Sequence, residues 1–382
     1  MKFISYIKRR LMLSLRGLGY GLTGNMRVFA LRDTLLLTSQ GLNGGLTVIY
    51  TMSVLGASAI DVGLLGSVNA LAGILFLLVG GWMGDRYNRK RLFLLGSGLR
   101  MLNPLVLALA PSWQYLMVPS VTEAIGLAIE NPVGFAVRVS SVGLLSFTRA
   151  TATLYTIHAI VNMIVPPFGA ALVTQLGGLE SLRAIFLAEA FLNVAAWVYT
   201  YKRLKIPETD PSTTHGKQQL SLSQFLSDVK ETYRVSRKEG TWMFLLLSAS
   251  APWVFDVDGN FHNVYAKTVC KSSLMTIGFL SSVSAFTSML LFIPVANLAE
   301  KRGRMRVVIM IRPIQYVGYI LLILSGTFFV PGVTPLMPIL VWALRTAGGV
   351  GGPGWEAASI QNMPTKRIST WIALQNFISS VS

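Results

Sequence analysis

Glu123, Glu130, Asp256, Asp258, His262 and Arg345 are ionisable side chains set in stretches that otherwise avoid charge. An ionisable group at mid-membrane costs roughly 2.5–3.5 kcal/mol on insertion scales, so it needs a function or a partner. Two kinds of chemistry suit it. A carboxylate can take up and release a proton or small cation, burial favouring its neutral form and a nearby guanidinium its ionised form. Alternatively, an acid and a base form a fixed ion pair that holds helices in register. Glu123 and Glu130 are seven residues apart, which puts them on one helix face about 10 Å apart along the axis. Asp258 and His262 are four apart, again on one face. Asp256 and Asp258 cannot share a face of a straight helix, though Gly259 can break it. Gln40 and Asn43 add uncharged polar groups to another such stretch.

These residues need elements to hold them. The chain is 52% hydrophobic and only 13% charged, where a soluble domain carries about a quarter charged residues. Lipid is therefore the expected solvent. Apolar runs of the roughly 20 residues that cross a bilayer fall near 34–55, 62–82, 92–110, 114–137, 152–175, 182–201, 242–265, 275–298, 306–328 and 335–358, and another begins near 369. The second bundle is thus incomplete here, about two spans short, and the chain is expected to be a piece of a longer one. No alternating strands of barrel type appear, so the class is all-α and polytopic. Counted from the outer ends, Glu123 and Arg345 both lie about 14–15 Å deep, within reach of one another.

The net charge of +17 has a place in this scheme. Bases cluster in alternate loops: Arg32 and others before the first span, Arg86, Arg89, Lys90 and Arg91, the stretch from Lys202 to Lys238, Lys301 to Arg306, and Lys366 with Arg367. That is the positive-inside bias, so the N-terminus is expected to be cytoplasmic and the bases to meet lipid headgroups rather than nucleic acid. Cys270 is the only cysteine, and no zinc spacing, triad or nucleophile elbow is present, so neither a cofactor, a metal nor an enzyme is expected. GYGLTG at 19–24 follows no strand, which excludes a nucleotide loop.

A shift of 215 residues overlays Gly44 on Gly259, Tyr50 on Tyr265, Gly63 on Gly278, Ser67 on Ser282, Arg89 on Arg304 and Arg91 on Arg306. Two similar halves of about six spans are a known architecture of secondary transporters. The expected organisation is a cytoplasmic amphipathic segment over 1–33, a first bundle over 34–201, a cytoplasmic linker with a surface helix over 202–241, and a second bundle over 242–382.

GGWMGDRYNRKR at 80–91 resembles the signature loop of the major facilitator superfamily, with Gly81, Asp85, Arg86, Arg89 and Lys90 on its pattern and Asn88 where the family usually has glycine. The second copy is degraded: Glu300, Lys301, Gly303 and Arg304 match, and Ala296 replaces the first glycine. The resemblance implies two six-helix halves that rock about a central cavity lined by the first, fourth, seventh and tenth helices, so Gln40, Asn43, Glu123, Glu130, Asp256, Asp258, His262 and Arg345 are expected around substrate and proton. It implies that Asp85 latches the halves, and a carboxylate at the N-terminus of the helix beginning near Ser369 gains from its dipole. VPPFGA at 165–170 resembles the fifth-span motif of the family's antiporters. Glu189 and His158 are expected to be structural. The reading is proton-coupled efflux of a small organic molecule by a monomer in the plasma membrane, with uptake of a polar solute, or a transporter-like sensor, as alternatives.

Overall fold

Among the described residues, six stretches that run apolar for membrane length are helical, because hydrocarbon offers no partner for a free N–H or C=O. The structure, a computed structural model, describes residues 22, 24–43, 46–206, 222–238, 240–247, 266, 269–272, 274–328, 330, 332–361, 363 and 367–381. Six described helices are long and apolar enough to cross a membrane: Ala59–Arg86, Arg89–Leu109, Ser146–Val173, Leu179–Arg203, Ser282–Arg302 and Arg304–Thr327. They fall on six of the expected spans. Their outer faces carry exposed Ile60 (83%), Leu75 (63%) and Phe191 (73%), which suits lipid and not water.

The elements in order are α1 (Asn25–Leu42), α2 (Thr47–Ser53), α3 (Ala59–Arg86), α4 (Arg89–Arg100), α5 (Leu102–Leu109), α6 (Met117–Gln175), α7 (Leu182–Arg203) and α8 (Leu222–Lys238). Then come α9 (Leu274–Arg302), α10 (Arg304–Thr327), α11 (Met337–Gly349), α12 (Gly352–Ser359) and α13 (Ile368–Val381). Several differ from the expected spans. α1 starts well before residue 34, so Arg32, counted as a loop base, lies inside a helix and is only 6% exposed. α6 joins two expected spans and breaks at Gly143, whose φ of 70° and ψ of 161° suit glycine alone. The tenth span is divided into α11 and α12. Most of the seventh, with Asp256, Asp258 and His262, lies outside the described residues.

Local signals set the ends. The Ser58 hydroxyl accepts from the Asp61 N–H at 3.2 Å while Asp61 accepts from the Ser58 N–H at 2.8 Å, a reciprocal cap that starts α3.

Contacts divide the chain into two compact units that do not follow its halves. Unit A comprises 27–141, 165–252 and 362–382; unit B comprises 1–26, 142–164 and 253–361. Among the described residues, two of the apolar clusters of unit A flank its middle. One gathers Tyr50, Leu107, Leu116, Leu182 and Phe186; the other gathers Phe29, Phe93, Val133 and Leu204. Along α1, α4–α5, α6 and α7, the residues between those clusters form a polar layer. In unit B, α10 packs closely on α11: a Cβ on Gly348 would stand 2.5 Å from the Gln315 backbone nitrogen.

Candidate functional site

The turn between α3 and α4 is Tyr87–Asn88, and the Asn88 side chain caps α4 by accepting from the Arg91 N–H at 3.1 Å. The short turn fixes Asp85 and Arg89 side by side, both buried, at 8% and 1% exposed. Asp85 Oδ1 accepts from Arg89 Nη2 at 3.2 Å and from the Ser369 N–H at 3.0 Å; Oδ2 accepts from the Thr370 N–H at 2.8 Å. Ser369 and Thr370 open α13, where the first N–H groups lack partners within the helix and the dipole favours an anion. Glycines permit the approach: a Cβ on Gly81 would stand 2.7 Å from the Ser369 carbonyl oxygen, and one on Gly84 3.0 Å from Ser369 Cβ. Arg86 turns elsewhere, donating through Nε at 2.8 Å and through Nη2 to Asp228 of α8. Lys90 Nζ sits 5.5 Å from the centre of the Tyr201 ring.

The polar layer of unit A brings Gln40, Glu123 and Glu130 to one cavity of about 40 Å³, together with Arg32, Ser97, Arg100, Asn103, Glu189 and Asn193. A water needs about 10–15 Å³ of such space, so the cavity suits a few waters and excludes an organic solute. Its carboxylates differ sharply. Glu130 accepts from Arg32, from Arg100 Nη1 at 3.1 Å and from the Ser97 hydroxyl at 3.0 Å. Arg32 also donates to Asp33 at 2.7 Å and to Ser97 at 3.0 Å. Glu123 instead accepts from the Asn103 amide at 2.5 Å. Glu189 accepts from the Asn43 amide at 3.5 Å, the outer limit of a hydrogen bond.

Unit B holds the other predicted residues that lie among those described. Glu300 accepts from the Arg149 N–H at 3.1 Å and from Arg149 Nη2 at 2.5 Å, and Arg304 lies in its field. The Arg345 guanidinium lies over the Tyr319 ring at 4.8 Å and the Trp342 ring at 5.4 Å. The Tyr155 hydroxyl donates to Glu356 at 2.6 Å, beside His158. Among the described residues no three of His, Cys, Asp and Glu form a group suited to a metal ion.

Sequence reasoning missed Arg100 and Glu356, both ionisable and both inside expected spans, so the criterion that selected Glu123 would have found them. It misplaced Arg32, because the apolar count begins only at residue 34. Ser97, Asn103 and Asn193 gave no signal, since small polar residues are common in membrane helices.

Membrane-length helices, a signature turn locked to a helix start and a buried polar layer define a multi-pass protein of transporter class. The chain belongs to the Major Facilitator Superfamily, whose model matches residues 34–382. Among solved structures, the chain is similar to a bacterial homologue of the iron transporter ferroportin in an outward-facing state, at 13% identity and TM-score 0.70, over 94% of this chain and 90% of that one. The same homologue with soaked iron gives 14% identity and TM-score 0.69, over 94% and 89%. At such identities the likeness concerns the fold. No curated protein sequence matches the chain.

Proposed function

We propose that this protein moves a small organic solute across the plasma membrane by alternating access of its two halves, 34–201 and 242–382, coupled to protons and in the direction of efflux. The N-terminus and the 202–241 linker lie in the cytoplasm in this reading. The observation that carries it is the contrast within the polar layer. Glu130 is held by two guanidiniums and a hydroxyl, so it braces helices. Glu123, seven residues away on the same face, accepts from one amide, with the Arg100 guanidinium in its field but not bonded to it, and borders a water-sized cavity. A carboxylate placed there can exchange a proton with internal water while the solute uses a separate, larger space. Asp85 supplies the latch: while its carboxylate caps α13, the inner side stays closed. The antiporter-like VPPFGA supports efflux; Gly169 of that stretch packs on α1, where a Cβ would stand 2.6 Å from the Gly41 carbonyl oxygen.

Proteoliposomes carrying a pH gradient test this with a panel of lipophilic and polar organic solutes. Glu123→Gln is expected to lose gradient-driven transport and to keep solute exchange without a gradient. Full gradient-driven transport by both Glu123→Gln and Asp258→Asn removes the coupling assignment. Binding without accumulation in the unaltered protein marks a sensor. A second reading takes a divalent metal ion as the substrate, favoured by the fold shared with an iron transporter's homologue; the same vesicles loaded with a metal-sensitive dye decide between them.

A further inference from the structure

The linker helix α8 has two faces with different tasks. Its two acids both meet partners on neighbouring elements, Asp228 part-buried and Glu231 about half exposed. Asp228 accepts from Trp82 Nε1 at 2.7 Å and from Arg86, while Glu231 accepts from Arg367 Nη2 at 2.9 Å. Phe225 meets the Trp82 ring edge-on, with centroids 5.7 Å apart. These contacts tie α8 to the end of α3 and to the residue preceding α13, the two elements that Asp85 joins.

The opposite face is exposed and carries Leu226, Lys230, Tyr233, Arg234 and Arg237. Their spacing of four, three, one and three residues makes a single helical stripe. Leu226 is 58% and Tyr233 47% exposed, a poor arrangement for water. α3 is a membrane-length helix and ends where α8 is bound, so α8 is held at the level of the lipid headgroups. Apolar residues interleaved with bases on such a helix are the composition of an interfacial segment. With Asp228 bound to Arg86 and the half-exposed Glu231 neutralised by Arg367, the ionisable groups of the stripe itself are bases and a tyrosine, a net positive face that complements an anionic surface.

We propose that this stripe is a docking surface for anionic phospholipid headgroups. Leu226 and Tyr233 enter the acyl boundary and Lys230, Arg234 and Arg237 meet the phosphates, so lipid charge steadies the helix that braces the Asp85 contact. The proposal needs only that the protein resides in a membrane, and it stands apart from proton coupling.

Ser227 is exposed and Cys270 is buried, so a maleimide dye takes Ser227→Cys in the full chain. The labelled protein is reconstituted in vesicles of phosphatidylcholine and phosphatidylglycerol of one fixed composition, in which either the phosphatidylglycerol or an equal mole fraction of the phosphatidylcholine is brominated. Quenching is expected to report a local enrichment of phosphatidylglycerol of about five-fold or more. Lys230→Gln/Arg234→Gln/Arg237→Gln is expected to abolish that preference. Leu226→Ser, which keeps the charge, is expected to weaken quenching by both lipids and retain the preference. Equal quenching by the two lipids in the unaltered stripe overturns the proposal. So does a preference that survives the triple variant, or a dye shielded from both lipids, which means that a protein surface covers the stripe.

Discussion

The two copies of the signature loop face the same geometric task and solve it differently. In unit A, Gly81 and Gly84 let α13 come so close that a short carboxylate, Asp85, reaches two backbone N–H groups and a buried guanidinium. In unit B the equivalent positions are Ala296 and Ala299, both buried. The equivalent acid is Glu300, one methylene longer, and it binds one backbone N–H and the side chain of Arg149, which is 47% exposed. Beside glycines the acid thus reaches two backbone N–H groups and a buried guanidinium; beside alanines it reaches one N–H and a guanidinium open to solvent. How closely such an acid is held is decided by the small residues beside it as much as by the acid itself.

Three substitutions sharpen or break that comparison. Asp85→Ala leaves Arg89 buried without its carboxylate and is expected to cost about 3–5 kcal/mol, read from a denaturant titration in detergent micelles. Gly81→Val drives a branched side chain against the Ser369 carbonyl and is expected to cost about 1–3 kcal/mol. It should also make a cysteine at the fully buried Ala373 reactive to maleimide, as α3 and α13 part. Glu300→Gln is expected to cost about 1 kcal/mol or less, with a loss that shrinks in high salt, because its partner is half in solvent. A cost for Glu300→Gln as large as that for Asp85→Ala would erase the distinction between the two copies.

Much of the fold is legible in the amino-acid sequence. Six membrane-length helices appear where the apolar runs lie, the family follows from the loop at 80–91, and Asp85 meets the start of the helix at 368. Much of the polar layer is not. Glu123 and Glu130 read alike in sequence, two acids on one face of one helix; in the structure both border one cavity near Arg100, but Glu130 is bonded to two guanidiniums and Glu123 to an amide. Arg32 read as a surface base and is one of the two guanidiniums that hold Glu130. Glu189 read as structural, and it lines the same cavity as Glu123.

The amino-acid order by itself determined six membrane-length spans and the placing of most bases between them, because transfer into lipid is decided segment by segment against one uniform solvent. Which buried carboxylate is bonded to guanidiniums and which meets only an amide was decided only by the tertiary structure. That outcome depends on how α1, α4, α6 and α7 are rotated about their own axes when they pack, a property of four helices together that no single segment encodes.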